Sequence, residues 1–303
     1  MQFQRIIKYS YIYLFTAVIA ALFFISCEEI IDLELNDPDN QRIVVEGRIT
    51  NEMAHHQIRL SRTLSYFANE PAPPMLEAEA YILEEGTGEQ YPLELIDDTI
   101  GMYQTGLMAA KVGETYTLHI NDNGETYQAS DYLDTIPTID SVNYEYTVYQ
   151  FFGVRVGIYL MKFSLYEPPP AGHIYRIDVF LNDTLYTEEL ADAIYFDDFQ
   201  TNDMYWADIE FYGFPQEDIT LDTNSVRFEM YSISEEEFDF LIAFFSESFG
   251  NGSIFSGPPA NIPTNIINTS DGIDGLGFFG ASGKTVFETT IIKEHSEDTN
   301  NPF

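Results

Sequence analysis

The sequence predicts a mainly β protein in two parts, a β-sandwich followed by a second β-rich domain with one amphipathic helix. Short runs of alternating apolar and polar residues recur along the chain. Turn-forming groups such as Asp122-Asn123-Gly124 and Asn182-Asp183 separate them. Apolar residues at helical spacing stand out near residue 240.

The chain begins with a different kind of segment. Arg5 and Lys8 precede an apolar run from Tyr11 to Ile25, then Ser26 and Cys27. The run is short for a membrane-spanning helix, which needs about 20 apolar residues, and the layout is that of a secretory signal peptide over residues 1–26. Phe24-Ile25-Ser26-Cys27 resembles a lipobox, in which the cysteine is acylated and becomes the new N-terminus. The alternative is an uncleaved single-span anchor. Residues 27–40 are acidic and contain Pro38, as a tether would.

From residue 41 the β pattern takes over. Strands are expected at 42–50, 57–64, 78–84, 91–96, 102–106, 115–121 and 125–130. In the sixth, Tyr116, Leu118 and Ile120 fall on one face while Thr117 and His119 fall on the other. About seven strands in so short a stretch fit an immunoglobulin-like or transthyretin-like sandwich over 41–137. Ile136-Pro137-Thr138 marks the boundary, and 138–303 forms the second domain. Its strands are expected at 142–150, 154–166, 173–181, 184–190, 204–212, 225–232 and 285–293. Ser234 and Glu237 have capping-box spacing, and Phe238, Leu241, Ile242, Phe245 and Phe249 form a stripe on a helix over 235–249. A loop rich in Gly, Pro and Asn is expected from 251 to 283; its length points to a functional or partner-facing segment.

Composition excludes some functions. The formal charge is -37, from 13 basic and 50 acidic residues. Removal of residues 1–26 takes away Arg5 and Lys8 and no acid, leaving -39. Such a chain does not bind nucleic acid, whose affinity comes from Lys and Arg displacing counterions. It is nevertheless 45% hydrophobic and 15% aromatic, ample for a sizeable core. Cys27 is the only cysteine, so lipidation there leaves no disulfide, thiolate ligand or cysteine nucleophile.

No catalytic residues emerge. Gly280-Ala281-Ser282-Gly283-Lys284-Thr285 misses the phosphate-loop spacing, because Phe278 stands where glycine is required. His55 and His56 are adjacent, would point to opposite faces of a strand and cannot share a metal; they read as a surface turn. Acidic pairs such as Asp197-Asp198 read as solvated turns. Asp271 and Asp274 are the calcium candidate, without the ligand ladder of an EF-hand. No cofactor is expected. Tyr205, Trp206 and Tyr212 could anchor a ligand or protein partner if exposed, and would be core if buried. Within the long loop, Pro258, Pro259, Asn261 and Asn265 complete the candidate binding residues.

Several stretches together carry a family resemblance. Cys27-Glu28-Glu29-Ile30-Ile31-Asp32 leads into Ile43-Val44-Val45-Glu46-Gly47-Arg48-Ile49-Thr50-Asn51. Ile58–Thr63, Gly101-Met102-Tyr103 and Gly113–Leu118 follow, then Ser253–Ile266 and Gly275–Gly280. These resemble the Bacteroidota lipoprotein family called domain of unknown function 4249, over nearly the whole mature chain. The resemblance implies an outer-membrane lipoprotein with an N-terminal β-sandwich, often encoded near TonB-dependent receptors, and it brings no catalytic residues. Glu28 and Glu29 look like that phylum's surface-export signal. Thr99, Thr135, Ser141 and Thr184, each between an aspartate and an aliphatic residue, resemble its O-glycosylation site.

The expectation is therefore a non-enzymatic lipoprotein anchored at Cys27, facing the cell exterior and capturing a nutrient ligand beside a TonB-dependent receptor. A structural or adhesive surface module is the alternative. A hydrolase using acidic residues is a third, which a deep pocket with two close carboxylates would favour.

Overall fold

The computed structural model describes residues 41–64, 70–187, 194–198, 203–250, 262–270 and 272–294. These residues are mainly β, with seventeen strands and one helix among them.

Nine strands form the first sheet. They are β1 (Ile43–Thr50), β2 (Ala54–Arg62), β3 (Glu79–Glu84), β4 (Glu89–Asp97), β5 (Met102–Met108), β6 (Thr115–Asp122), β7 (Glu125–Tyr132), β15 (Ile267–Asn268) and β16 (Leu276–Ser282). Their order is β15-β7-β6-β3-β4-β5-β2-β1-β16. Ile43, Val45 and Leu60 from one half of this ladder share a buried cluster with Ile82, Leu118 and Ile120 from the other. The ladder is therefore folded over on itself, with β4 at the turn. The alternation read from the sequence produces this core: Tyr116, Leu118 and Ile120 are all buried. At the β6–β7 hairpin, Asn123 and Gly124 both take positive φ, of 51° and 86°. Two successive left-handed residues are what a tight hairpin matching the strand twist requires.

Two further sheets enclose a second core. One has the order β13-β9-β8, built from β8 (Ile139–Phe151), β9 (Val154–Glu167) and β13 (Met204–Pro215). The other has the order β11-β10-β14-β17, with β12 also on β10. Its strands are β10 (Ile174–Leu181), β11 (Thr184–Leu185), β12 (Ile194–Asp197), β14 (Thr223–Ile233) and β17 (Lys284–Ile292). Tyr159, Met161, Phe163 and Leu165 of β9 are buried with Tyr175, Ile177 and Val179 of β10 and Phe228 of β14. Of the strand expected at 184–190, Thr184–Leu185 form β11, and 188–190 lie outside the described residues.

The expected boundary near residue 137 falls between these two cores, but the chain does not keep to it. The described part of the segment expected as a loop over 251–283 returns to the first sheet. There β15 pairs with β7, and β16 runs parallel to β1 from Val44↔Leu276 to Thr50↔Ser282. Ile266, Phe279 and Ala281 complete the first core. After Gly283 the chain crosses to β17, which pairs with β14 in the second body. Gly283 N donates to Ser232 Oγ at 2.8 Å, and Ser232 N donates to Gly283 O at 2.9 Å.

Helix α1 (Glu235–Gly250) starts where expected. Glu237 N donates to Ser234 Oγ at 3.2 Å, the cap the sequence predicts. The reciprocal half of the box gives way, because the Glu237 carboxylate is drawn away to Arg48.

Candidate functional site

The alternation of β1 sends Val45, Gly47 and Ile49 inward and leaves Val44, Glu46 and Arg48 on the opposite face. Parallel pairing places Leu276, Phe278 and Gly280 of β16 beside those three. Helix α1 brings Phe240, Leu241 and Phe244 to this outer face. Together they line a cleft of about 530 Å³, closed at one side by Ile262 and Pro263 and reached by Arg176 of β10. Phe240 stands between two aromatic neighbours, with ring centroids 5.5 Å from Phe278 and 6.1 Å from Phe244.

The charged end of the cleft is built around one buried ion pair. An Arg48 NH group donates to Glu237 Oε1, and another donates to Ser282 Oγ at 3.1 Å. The Arg48 guanidinium also lies 5.0 Å from the Tyr231 ring centroid, within cation–π range. Gly280 leaves room for the carboxylate: a Cβ there would lie 3.0 Å from Glu237 Oε2. Glu237 is 3% exposed, and its Oε2 has no hydrogen-bond partner. A buried acceptor left unpaired in this way costs about 1–3 kcal/mol. Arg176 Nε donates to Asp178 Oδ1 at 2.9 Å. Burial works against the Arg176 charge, but Asp178, Tyr195 and Glu237 outweigh it and hold the group charged. The cleft therefore offers apolar and aromatic walls and guanidinium donors, with a buried carboxylate behind them. It suits a ligand with an apolar body and a polar end.

The residues singled out from sequence are dispersed. Tyr205 is exposed. Trp206, its neighbour on β13, turns inward, stacking on Phe163 and lying tilted against Phe196, with centroids at 5.8 and 5.6 Å. It helps wall a separate cleft of about 390 Å³. Tyr212 packs edge-on against Phe214 at 5.1 Å, so the three rings make no common platform. Asn265 serves the first cleft indirectly. It donates to Phe279 O at 2.8 Å and accepts from Phe279 N at 3.1 Å. With Thr264 Oγ1 donating to Gly277 O at 2.9 Å, it fixes the irregular segment that carries Ile262 and Pro263. Asp274 Oδ1 accepts from Asn268 N at 2.9 Å and shapes a turn. Cys27, Glu28, Glu29, Pro258, Pro259, Asn261 and Asp271 lie outside the described residues.

Two readings from the sequence are corrected. His55 and His56 do not form a turn; bends at 51–53 do, and both histidines open β2. His56 is buried, its amide donates to Thr105 Oγ1 at 3.0 Å, and burial pushes its imidazole pKa down. Asp198 is not in a solvated turn but wholly buried.

The family described as a domain of unknown function (DUF4249) matches residues 28–288. The chain belongs to it. For this DUF4249 protein, no curated protein gives a match. Among its described residues no helix is long and apolar enough to cross a membrane. Phe278 lies in the 251–283 segment the sequence marked as functional or partner-facing, whereas the cleft residues Arg48, Arg176, Phe240 and Phe244 went unmarked as binding residues. The one signal for them was Arg48 on the outward face of β1 in a chain with so few basic residues.

Proposed function

We propose that this DUF4249 protein is a surface-exposed outer-membrane lipoprotein, anchored through Cys27, that acts without catalysis as the ligand-capture accessory of a TonB-dependent transporter. Its capture site is the cleft between α1 and the β1–β16 pair. The observation that carries this reading is the cleft itself: aromatic walls converge on buried charged groups, one of which, Glu237 Oε2, has no protein partner. The signal-peptide layout, the Cys27-Glu28-Glu29 start and the expectation attached to the family resemblance supply the address and the partner class.

The hydrolase alternative loses ground on burial. The buried carboxylates Glu167 and Asp198 have no exposed surface through which substrate would reach them.

Native mass spectrometry of the chain extracted from outer membranes tests the capture site. A 1:1 small-molecule adduct is expected on the wild type. Phe244→Glu, at a half-exposed helix position, should lose the adduct and leave far-UV circular dichroism unchanged. No adduct, or one indifferent to Phe244→Glu, contradicts the reading.

A further inference from the structure

Three side chains from three strand ends converge inside the second body. Glu167 ends β9, His173 immediately precedes β10 and Asp198 immediately follows β12. Glu167 and Asp198 are 0% exposed and His173 is 3% exposed. His173 Nδ1 lies 3.1 Å from Asp198 Oδ2 and 3.4 Å from Glu167 Oε1. One ligand atom from each residue falls within 4.8 Å of the others.

That spacing has a chemical meaning. Nitrogen and oxygen ligands held at 2.0–2.2 Å from a tetrahedral zinc ion are roughly 3.3–3.6 Å from one another. The observed separations are close to such edges. The charges point the same way. Two carboxylates are buried here, and no Lys or Arg among the described residues pairs with either. A divalent cation would neutralise both buried carboxylates.

Hydrogen bonds from the surroundings orient both carboxylates. Asp198 Oδ1 is occupied, accepting from Gly172 N at 2.6 Å, which leaves Oδ2 facing His173. Glu167 Oε1 accepts from Tyr175 OH at 2.5 Å, and Glu167 Oε2 has no partner at all. On the far side of the imidazole, Asp134 Oδ1 lies 3.5 Å from Nε2. A carboxylate behind a metal-binding histidine fixes its tautomer and orientation, and Nδ1 is then the nitrogen offered to the ion.

We propose that Glu167, His173 and Asp198 bind one divalent first-row transition-metal ion of the zinc class. The imidazole nitrogen and the small ligand number favour such an ion over calcium, which takes six to eight oxygens. The role is structural, because the ligands are closed off from solvent, and the buried, unpartnered Glu167 Oε2 is the further oxygen that would complete a four-coordinate set. The ion ties β9 of one sheet to β10 and β12 of the other and so clamps the second body at one end.

The test uses the full mature chain. Chelator-treated protein titrated with Zn²⁺ should bind one equivalent and gain about 5–10 °C in Tm at 100-fold excess over Kd. Glu167→Gln, His173→Asn and Asp198→Asn should each lose that equivalent and the Tm gain, with folding checked by circular dichroism. Titration of the wild type with Co²⁺ gives a readout that needs no variant: visible d–d bands at one equivalent are expected. No stoichiometric binding, or retention of the equivalent in folded His173→Asn, overturns the proposal and leaves a metal-free hydrogen-bonded cluster.

Discussion

Asp131 makes the stability of this protein depend on pH in an unusual direction. It lies on the core face of β7 and is 7% exposed, with Oδ2 accepting from Ala281 N of β16 at 2.7 Å. Burial, reinforced by the nearby Glu237 charge, pushes its pKa up to about 7 from an ordinary 3.8. In the folded protein Asp131 therefore holds its proton up to about pH 7, whereas the unfolded chain releases it near pH 4. Between those values the unfolded state binds fewer protons, so stability contributed by this group falls as pH rises. A tenfold difference in proton affinity between the two states is worth about 1.4 kcal/mol, so a rise from 3.8 to about 7 makes the loss about 4 kcal/mol, complete above pH 7. Asp131→Asn keeps an oxygen for the Ala281 amide and cannot ionise. Urea denaturation followed by far-UV circular dichroism at pH 4, 6 and 8 should find the variant near wild type at pH 4. At pH 8 it should be about 4 kcal/mol more stable. An unchanged pH profile, or a variant weaker than wild type at pH 8, refutes the assignment of this burden to Asp131.

Other perturbations probe other parts of the molecule. Glu237→Ala leaves Arg48, itself mostly buried, without its carboxylate, and should cost about 2–3 kcal/mol in urea denaturation. Gly277→Ala places a Cβ 2.0 Å from Val45 O at a φ of 85°, so the β1–β16 pairing should fail, with a loss of more than about 3 kcal/mol or no soluble protein. Phe228→Ala removes a fully buried ring of the second core and should cost about 3–5 kcal/mol. Cys27→Ser should abolish incorporation of labelled fatty acid and shift the protein from the detergent to the aqueous phase on Triton X-114 partition.

How much could be read in advance depends on how local the signal is. Strands such as β6 and β10 declare themselves within eight residues, because a half-buried strand must alternate; Tyr175, Ile177 and Val179 are buried while Arg176 and Asp178 lie between them less buried. The helix was legible from Ser234 and the spacing of Phe238 and Leu241. The return of β16 to β1 was not. Val44 and Leu276 are neighbours across a long stretch of chain, and the glycine-rich composition that suggests a loop serves close approach instead: Gly277 lies against the Val45 backbone and Gly280 makes room for Glu237. The cleft inherits that blindness, since its walls come from β1, β16, α1 and β10. The Glu167–His173–Asp198 cluster was hidden for the same reason. Its members stand at the ends of three strands, so only the folded sheets reveal the spacing, and Asp198 read as one half of a surface acidic pair.

The central claim is that the chain works as the capture subunit of a transporter. Affinity purification of C-terminally tagged protein from gently solubilised outer membranes, with co-purifying chains identified by mass spectrometry, tests it most directly. A stoichiometric TonB-dependent receptor is the expected result. A lone lipoprotein, in a preparation where known transporter complexes survive, would contradict it.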